Sequence, residues 1–517
     1  MNMFMTQYEN RNHMRRLPTN YQSNKMAYYL PHHGVLKPDS STTKLRVVFN
    51  GSSPSSTGRS LNDIMHTYAD LNPNIVDVLI WIHKYRYLFS TDITKMYRQI
   101  LVHQDDWDLQ RILWIDELGN EVIYQSTTVT YGTRAAPFLA VRTLLQLIQD
   151  AVPPIKYGRY VDNIFGGADN PTQLVGTTTQ LRDLCMAGGF ALAKWHSTNE
   201  EVITAIEVPP NPKQSFNLTE DATKILGLQW RSHEDIFSFS TSLAPQATTT
   251  SKRTILSDIA KLFDPLGFAS PVIIRAKLLL QELWLHSVEW NDPLPAQVVN
   301  RWHTIRRELQ TLNELTIPRW FKTKETSNIE LHGFADASQL AMAAVIYMAI
   351  YNEENEPTVT FICSKTRVAP LKKLTITKLE LTTALLLSKL TTRIKTSLNL
   401  RIRATHLWTD SRVNLTWIKA HPSRWKEFVC NRVTQIQELT AEAQWRYVPG
   451  TSNPADCASR GLTTQQLKTH PLWWTDPPWT LTPNSWPTQP IDKEDQCDQE
   501  ARPSISLIAT IKTSEYD

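Results

Sequence analysis

At 517 residues, with 41% hydrophobic and 20% charged side chains, the chain is long enough for several cores and has an ordinary globular composition. Its longest apolar run, residues 341–351, is too short to span a bilayer, and residues 1–12 lack the basic-then-apolar pattern of a secretory signal. Five cysteines (185, 363, 430, 457 and 497) form no CxxC pair, which argues against a disulfide framework or a structural zinc site and fits a reducing, cytoplasmic setting.

The net charge of +4 conceals a basic start: residues 1–60 hold eight Lys/Arg against two Asp/Glu, which suits a polyanion such as nucleic acid or a triphosphate. Residues 1–24 are polar and read as a disordered lead-in. Strand-like patterns follow in Tyr28-Tyr29-Leu30, Gly34-Val35-Leu36-Lys37 and Lys44-Leu45-Arg46-Val47-Val48-Phe49, where the two-residue period puts Lys44 and Arg46 on one face. A Ser/Gly-rich loop leads into Ser60-Leu61-Asn62-Asp63, and Ile75, Val78, Leu79 and Ile82 predict a helix over 74–85. An apolar strand then ends on Asp92, with Tyr97 five residues later. After a β-rich run over 112–130, Tyr131-Gly132-Thr133-Arg134 opens a long helix toward Asp150.

The stretch Arg159-Tyr160-Val161-Asp162-Asn163-Ile164-Phe165-Gly166-Gly167 reads as a hairpin, with strand over 159–161 and Asp162-Asn163 as its two-residue polar turn. Beyond it come Gly189-Phe190 through Lys194-Trp195, and Leu226-Gly227-Leu228-Gln229-Trp230. Two strand-end aspartates separated by a glycine-led helix are the arrangement a two-metal site needs, each carboxylate holding one or both Mg²⁺ ions. Basic groups of the type of Lys44 and Arg46 would clamp a triphosphate.

These motifs, in this order, resemble those of a reverse transcriptase. Tyr29-Leu30-Pro31-His32-His33, the run 43–49 and Ser60-Leu61-Asn62-Asp63 are most similar to BEL/Pao-type LTR retrotransposons. The resemblance covers roughly residues 25–235 and implies fingers and palm of a fingers–palm–thumb polymerase. It makes Asp92 and Asp162 the metal ligands and places substrate contacts at Lys44, Arg46, Tyr97, Tyr131, Gly132 and Lys194. Tyr97 would be the gate against the sugar 2′ position. One departure stands out: such enzymes carry two adjacent aspartates at the hairpin, and here the second place is Asn163. A neutral amide is a weaker ligand for a hard cation, so polymerase activity turns on this residue.

Residues 236–325 read as a helical thumb or connection, with amphipathic helices from Ile274 to Trp284 and from Trp302 to Leu312. No Asp-Thr-Gly or Asp-Ser-Gly occurs, so no aspartic protease site is expected. A second set of acids then appears: Asp336 on a strand, Glu380 opening a helix, Asp410 ending a strand and Asp456 at a helix start after Pro454. On strand, helix, strand and helix, four acids can converge on two Mg²⁺ ions for phosphodiester hydrolysis. Residues 326–465 resemble an α/β ribonuclease H-like domain, with those four as its catalytic acids and metal ligands. The His that family carries after Pro-Gly is here Thr451. Residues 466–517 read as a Trp/Pro-rich linker and an acidic tail with seven acids against three bases beyond Ile491.

The resemblance implies a mixed α/β architecture, RNA template, DNA primer, RNA–DNA hybrid and deoxynucleoside triphosphates as partners, no membrane, and two Mg²⁺ per active site. It also implies a polyprotein slice, located in a cytoplasmic retrotransposon particle, normally joined to protease and integrase. Two other readings stay open: a decayed copy in which Asn163 silences the polymerase, and a non-catalytic nucleic-acid-binding protein on the same fold.

Overall fold

The computed structural model describes residues 2–21, 26–36, 45–149, 157–206, 223–241, 243, 249–285, 288–324, 326–352, 355–490 and 495–503. Lys44 lies outside them. The chain divides into two compact units, one made of Met1–Asp221 with Ser232–Glu234 and the other of Ala222–Arg231 with Asp235–Asp517.

In the first unit, α1 (Asn2–Asn10) and β1 (Met14–Arg16) precede the hairpin of β2 (His32–Leu36) and β3 (Leu45–Phe49). The expected disorder of the lead-in does not hold for residues 2–21. Met5, Tyr8 and Met14 are buried in a cluster with Val47, Phe49 and Tyr124, and β1 pairs with β6 (Glu121–Ser126), itself paired with β5 (Arg111–Ile115). Apolar side chains spaced within a polar segment were enough to fold it onto the sheet, since removing them from water is favourable.

A four-stranded antiparallel sheet carries the first pair of aspartates. Its order is β7 (Arg159–Tyr160), β8 (Asn163–Ala168), β4 (Tyr87–Ile93), β9 (Leu192–Ser197). The helices of this unit include α2 (Leu61–Ile64), α3 (Ile75–His83), α4 (Ala136–Gln149) and α5 (Pro171–Ala187), and a further short helix at Glu200–Ile206 packs on α5 and β9. Phe89, Ile93, Leu144, Ile164, Leu181 and Trp195 fill the core beneath the sheet. The hairpin differs from expectation by one residue. Tyr160 pairs with Asn163, so the turn is Val161-Asp162 and Asn163 begins β8. Val161 sits at φ +55°, a left-handed conformation that costs a β-branched residue about 1–3 kcal/mol. The turn is held from outside: Asn72 Oδ1 accepts from Val161 N (3.3 Å) and from the buried Arg159 Nη1 (3.1 Å). Turn composition alone favoured Asp-Asn; pairing with β4 decided otherwise.

The second unit begins with a small sheet of β10 (Thr223–Ile225), β11 (Leu228–Arg231), β12 (Ile236–Ser238) and β13 (Thr316–Pro318). Between β12 and β13 run α6 (Lys252–Ala260), α7 (Ser270–Leu285) and α8 (Ala296–Gln310). The main sheet has the order β16 (Asn355–Val368), β15 (Ala341–Asn352), β14 (Asn328–Ala337), β17 (Ile402–Thr409), β18 (Gln444–Tyr447). The first three strands are antiparallel, whereas β17 and β18 join in parallel. Parallel pairing needs crossovers: α9 (Ile376–Leu398) lies between β16 and β17, and α10 (Arg412–Lys419) with α11 (Glu427–Leu439) between β17 and β18. After β18 come α12 (Asp456–Arg460), α13 (Thr464–Thr469) and α14 (Pro471–Thr475).

Of the helices expected as a thumb or connection, α7 packs directly on this sheet, and α6 and α8 pack on α7. Helix α7 contacts β16 and α12, Ser364 N donates to Leu266 O (2.8 Å), and Gln281 Nε2 donates to Ala369 O (2.7 Å). The stretch expected as a Trp/Pro-rich linker is packed against the sheet as well. Trp473 is 0% exposed and donates from Nε1 to Phe268 O (2.9 Å), while Trp479 and Trp486 pack on Trp408 with ring centroids 4.9 and 5.3 Å away. Within the acidic tail, residues 495–503 dock as well: Lys426 N donates to Glu500 O (2.8 Å) and Lys378 pairs with Glu500 at 2.7 Å. Large aromatic rings had a sheet face to bury against, which proline and tryptophan counts do not disclose. Among the described residues no helix is long and apolar enough to cross a membrane.

Candidate active sites

The first site forms where β4 meets the β7–β8 hairpin. Asp92 lies opposite both Asn163 of β8 and Ala193 of β9, and Ile93 N donates to the Asp162 carbonyl (2.8 Å), so the two aspartates are brought side by side. Burial, then the Asp92 charge, raises the Asp162 pKa above the usual carboxylate range. Asn163 Nδ2 donates to Asp162 Oδ1 (3.1 Å), taking one of the lone-pair positions of that carboxylate. Lys194, itself at φ +54°, reaches Asp92 Oδ2 at 2.6 Å. The charge of the site is therefore two carboxylates less one ammonium. Tyr97 packs on the core beside it, and burial, then the Asp162 charge, raises the pKa of its hydroxyl.

The remaining residues expected there frame the site. Tyr131 donates to Val47 O (2.8 Å) and lies 6.5 Å from the Tyr97 ring, tying the strand of Arg46 to the wall behind Tyr97. Arg46 is exposed on β3, with Val47 and Phe49 turned inward. Gly132 adopts φ +91° with its backbone against the Phe49 carbonyl, where a Cβ would collide. Two asparagines supply what the sequence reading left without a role. Asn62 donates to Gly132 O (3.2 Å) and accepts from Arg134 N (2.7 Å), and Asn72 props the hairpin turn.

The second site is richer in charge. Asp336 lies near the end of β14 and Asp410 directly follows β17, with Ala335 and Thr409 paired across the two strands. Glu380 stands in the first turns of α9 and Asp456 opens α12. Asn453 carries Asp456 to its place: its amide donates to Ala335 O (3.0 Å) and accepts from Ala455 N (3.1 Å). Gly450 comes so near that a Cβ would lie 3.3 Å from Asp410 Oδ2. Thr451 is exposed in the same turn.

The four acids feel one another. Burial, then the Asp410 charge, pushes Asp336 up to about 7. Burial, then the Glu380 charge, pushes Asp410 up to about 6. Burial raises Glu380 to about 7 against a hydrogen bond from Ser411. Three of the carboxylates have local partners: Ser459 Oγ donates to Asp336, Ser411 to Glu380, and Arg460 Nε to Asp456. Asp410 is hydrogen-bonded to the Asp336 carboxyl, and among the described residues its buried Oδ1 meets no donor from any other side chain. Such a carboxylate oxygen among three other acids fits the donor set of a hard divalent cation.

A third group lies further back on β14 and β17. Glu330, His332 and His406 have ligand atoms within 4.8 Å of one another, with Glu330 Oε2 at 3.8 and 3.9 Å from the two imidazole Nε2 atoms. Parallel pairing of His332 with His406 creates the group, and no spacing in the sequence announces it. Its tautomer speaks against a metal. Trp408 Nε1 donates to His332 Nδ1 (3.4 Å), which leaves the ring proton on Nε2, facing Glu330. The trio is a polar cluster within the sheet, with both imidazoles buried and Glu330 half-buried.

Residues 251–411 match the Pao retrotransposon-like RNaseH-like domain family. No curated protein sequence matches the chain. Among solved structures, a foamy viral protease-reverse transcriptase in complex with dsDNA is similar at TM-score 0.56 and 14% identity, over 86% of this chain and 82% of that one. A second, its dRH form with ds DNA, gives the same score and identity over 85% and 68%. A third, the complex with RNA/DNA hybrid, gives TM-score 0.52 at 14% identity, the match spanning 82% of this chain and about half (51%) of that one. The chain thus matches the Pao retrotransposon-like RNaseH-like domain family over residues 251–411 and shares its fold with a foamy viral reverse transcriptase.

Proposed function

We propose that the chain is an RNA-directed DNA polymerase with ribonuclease H activity from a BEL/Pao-type retrotransposon, working by metal-assisted phosphoryl transfer at two separate sites. The observation that carries this reading is the convergence of Asp336, Glu380, Asp410 and Asp456, each from a different element, with one buried carboxylate oxygen that meets no donor from outside the four. Two Mg²⁺ ions bound there would activate a water and neutralise the leaving alkoxide. The chain's own part is to hold the four carboxylates in place: Ser459 fixes Asp336, Ser411 fixes Glu380, and Asn453 sets the turn of Asp456.

At the first site Asp92 and Asp162 would hold the ions of a polymerase, and Tyr97 would meet the sugar of the incoming deoxynucleotide. Lys194 and Arg46, with Lys44, supply positive charge for the triphosphate. RNA template, DNA primer and RNA–DNA hybrid are the corresponding partners, a reading supported by the nucleic acids in the similar foamy viral complexes.

The decayed-copy reading keeps a specific observation in its favour. Asn163 spends its amide on Asp162, and Lys194 already occupies Asp92. Primer extension on an RNA template with Mg²⁺, and cleavage of an RNA–DNA hybrid by the same preparation, test both. Hybrid cleavage lost in Asp336→Asn, with primer extension present, supports the two-activity reading. Cleavage alone leaves a nuclease with a silent polymerase, and neither activity refutes the proposal.

A further inference from the structure

Around the four-acid site one basic side chain stands out. Arg460 is one helical turn beyond Asp456, donates from Nε to Asp456 Oδ1, and keeps its side chain 74% exposed. Asp410 and Asp456 bear on Asp336 as like charges, and Arg460 opposes them. Its backbone is pinned on both sides. Asn453 fastens the start of α12 to β14, and Gly461 ends the helix at φ +85°, where a Cβ would press on Arg275 Cγ at 2.7 Å and on Pro271 O at 3.2 Å. Leu462 N then donates to Pro271 O (2.9 Å), so helix α7 sets where Arg460 emerges. Residue Ser459, its neighbour, is buried and turned to Asp336. One short turn thus holds one acid from within and another from the solvent side.

This arrangement poses a competition. A divalent cation entering among the acids seeks the Asp456 carboxylate, whose Oδ1 is engaged by Arg460. A guanidinium released from that oxygen is already outside, with N–H groups in a fork that matches two phosphate oxygens. We propose that Arg460 is a phosphate-binding residue of the nuclease site, exchanging its bond to Asp456 for the backbone phosphate of an RNA–DNA hybrid when the cation takes the carboxylate. The inference rests on the nuclease reading of the site and adds to it the residue that couples ion entry to substrate binding. Because α12 is pinned at both ends, the exchange requires only side-chain rotation.

The test is binding, measured apart from cleavage. With Ca²⁺ in place of Mg²⁺, so that a hard cation is present without turnover, a fluorescent RNA–DNA hybrid is titrated by anisotropy against the otherwise unmodified chain, with and without Arg460→Ala or Arg460→Lys. The expected result is binding weakened about tenfold by Arg460→Ala, with Arg460→Lys recovering only part, since an ammonium keeps the charge and loses the fork. Without hybrid, Mg²⁺ is titrated against thermal stability in the otherwise unmodified chain. There Arg460→Ala is expected to lower the Mg²⁺ midpoint about threefold, because the Asp456 oxygen is no longer engaged. A purely structural role predicts the reverse: a raised Mg²⁺ midpoint and unchanged hybrid affinity. Either that pattern or no change in both measurements overturns the proposal. Arg460-dependent hybrid binding by a chain that does not cleave in Mg²⁺ would sink the nuclease reading and keep Arg460 only as a phosphate contact of a hybrid-binding site.

Discussion

The two acid sites differ in how much of their negative charge is met by neighbouring groups. The second gathers four carboxylates, sets one arginine at its edge, and leaves a buried oxygen of Asp410 with no donor from outside the four. In the first, two aspartates stand with a lysine at 2.6 Å from one and an asparagine amide at 3.1 Å from the other. The second site keeps more acids than basic partners, and burial holds the pKa values of three of them at about 6 to 7. In the first, one of the two carboxylate charges is offset by Lys194, so an ion there would depend more on what a substrate brings, and a triphosphate brings several negative charges. Under the proposed function, that difference would make hybrid cleavage the less sensitive of the two activities to its surroundings and would make primer extension turn on Asn163.

The contrast can be broken first at Asp410. Asp410→Asn is expected to reduce hybrid cleavage by about a thousandfold or more, because it removes the oxygen the structure leaves for a cation. Primer extension should not change, and a shared loss would mean that the two sites do not act independently. Next comes Asn163→Asp, which restores charge at the poorer site. Primer extension is expected to rise by about tenfold or more. A fall, or no response, would show that Lys194 and Asp92 limit the site and that the missing carboxylate does not.

A pH titration sharpens the comparison without any substrate. Asp336 and Glu380 at about 7 and Asp410 at about 6 bind protons in the folded chain that an unfolded carboxyl, near about 4, would already have released. Metal-free stability should therefore fall as pH rises from about 4 to about 7 and then level off. Asp336→Asn should flatten that fall, with a Tm gain at pH 8 that shrinks toward pH 5, and millimolar Mg²⁺ should flatten it too. A Tm profile that the substitution leaves unaltered would remove the strained-acid account of the second site. The smallest effect is expected at Asn72. Asn72→Ala deletes the acceptor for Val161 N and Arg159 and should cost about 1 kcal/mol, a Tm shift of about 2–4 °C, with a larger proportional loss in primer extension.

Much of both sites was legible in the linear chain. Asp92, Asp162, Asp336, Glu380, Asp410 and Asp456 were singled out from strand ends and helix starts, and the alternation of strands and helices around them pointed to mixed α/β layers. The residues that hold them were not. Asn72, Ser459 and Arg460 have no distinguishing composition, and their contacts span sequence separations that no local pattern encodes. The Val161-Asp162 turn shows the same limit at short range. Local propensity chose Asp-Asn, while register with β4 forced a valine into a left-handed turn and put Asn163 on the strand.

The sequence by itself determined where chemistry could occur, because carboxylates at the ends of apolar strands are few and periodicity places them. Only the tertiary structure decided which groups share a site and at what charge. It paired His332 with His406 through a parallel crossover, seated tryptophans expected in a linker against the sheet, and folded the polar first residues into a core. The physical reason is that hydrophobic burial is non-directional. Apolar side chains state that they will be covered, but the partner that covers them is settled by strand register and by the long-range contacts that compete for the same face.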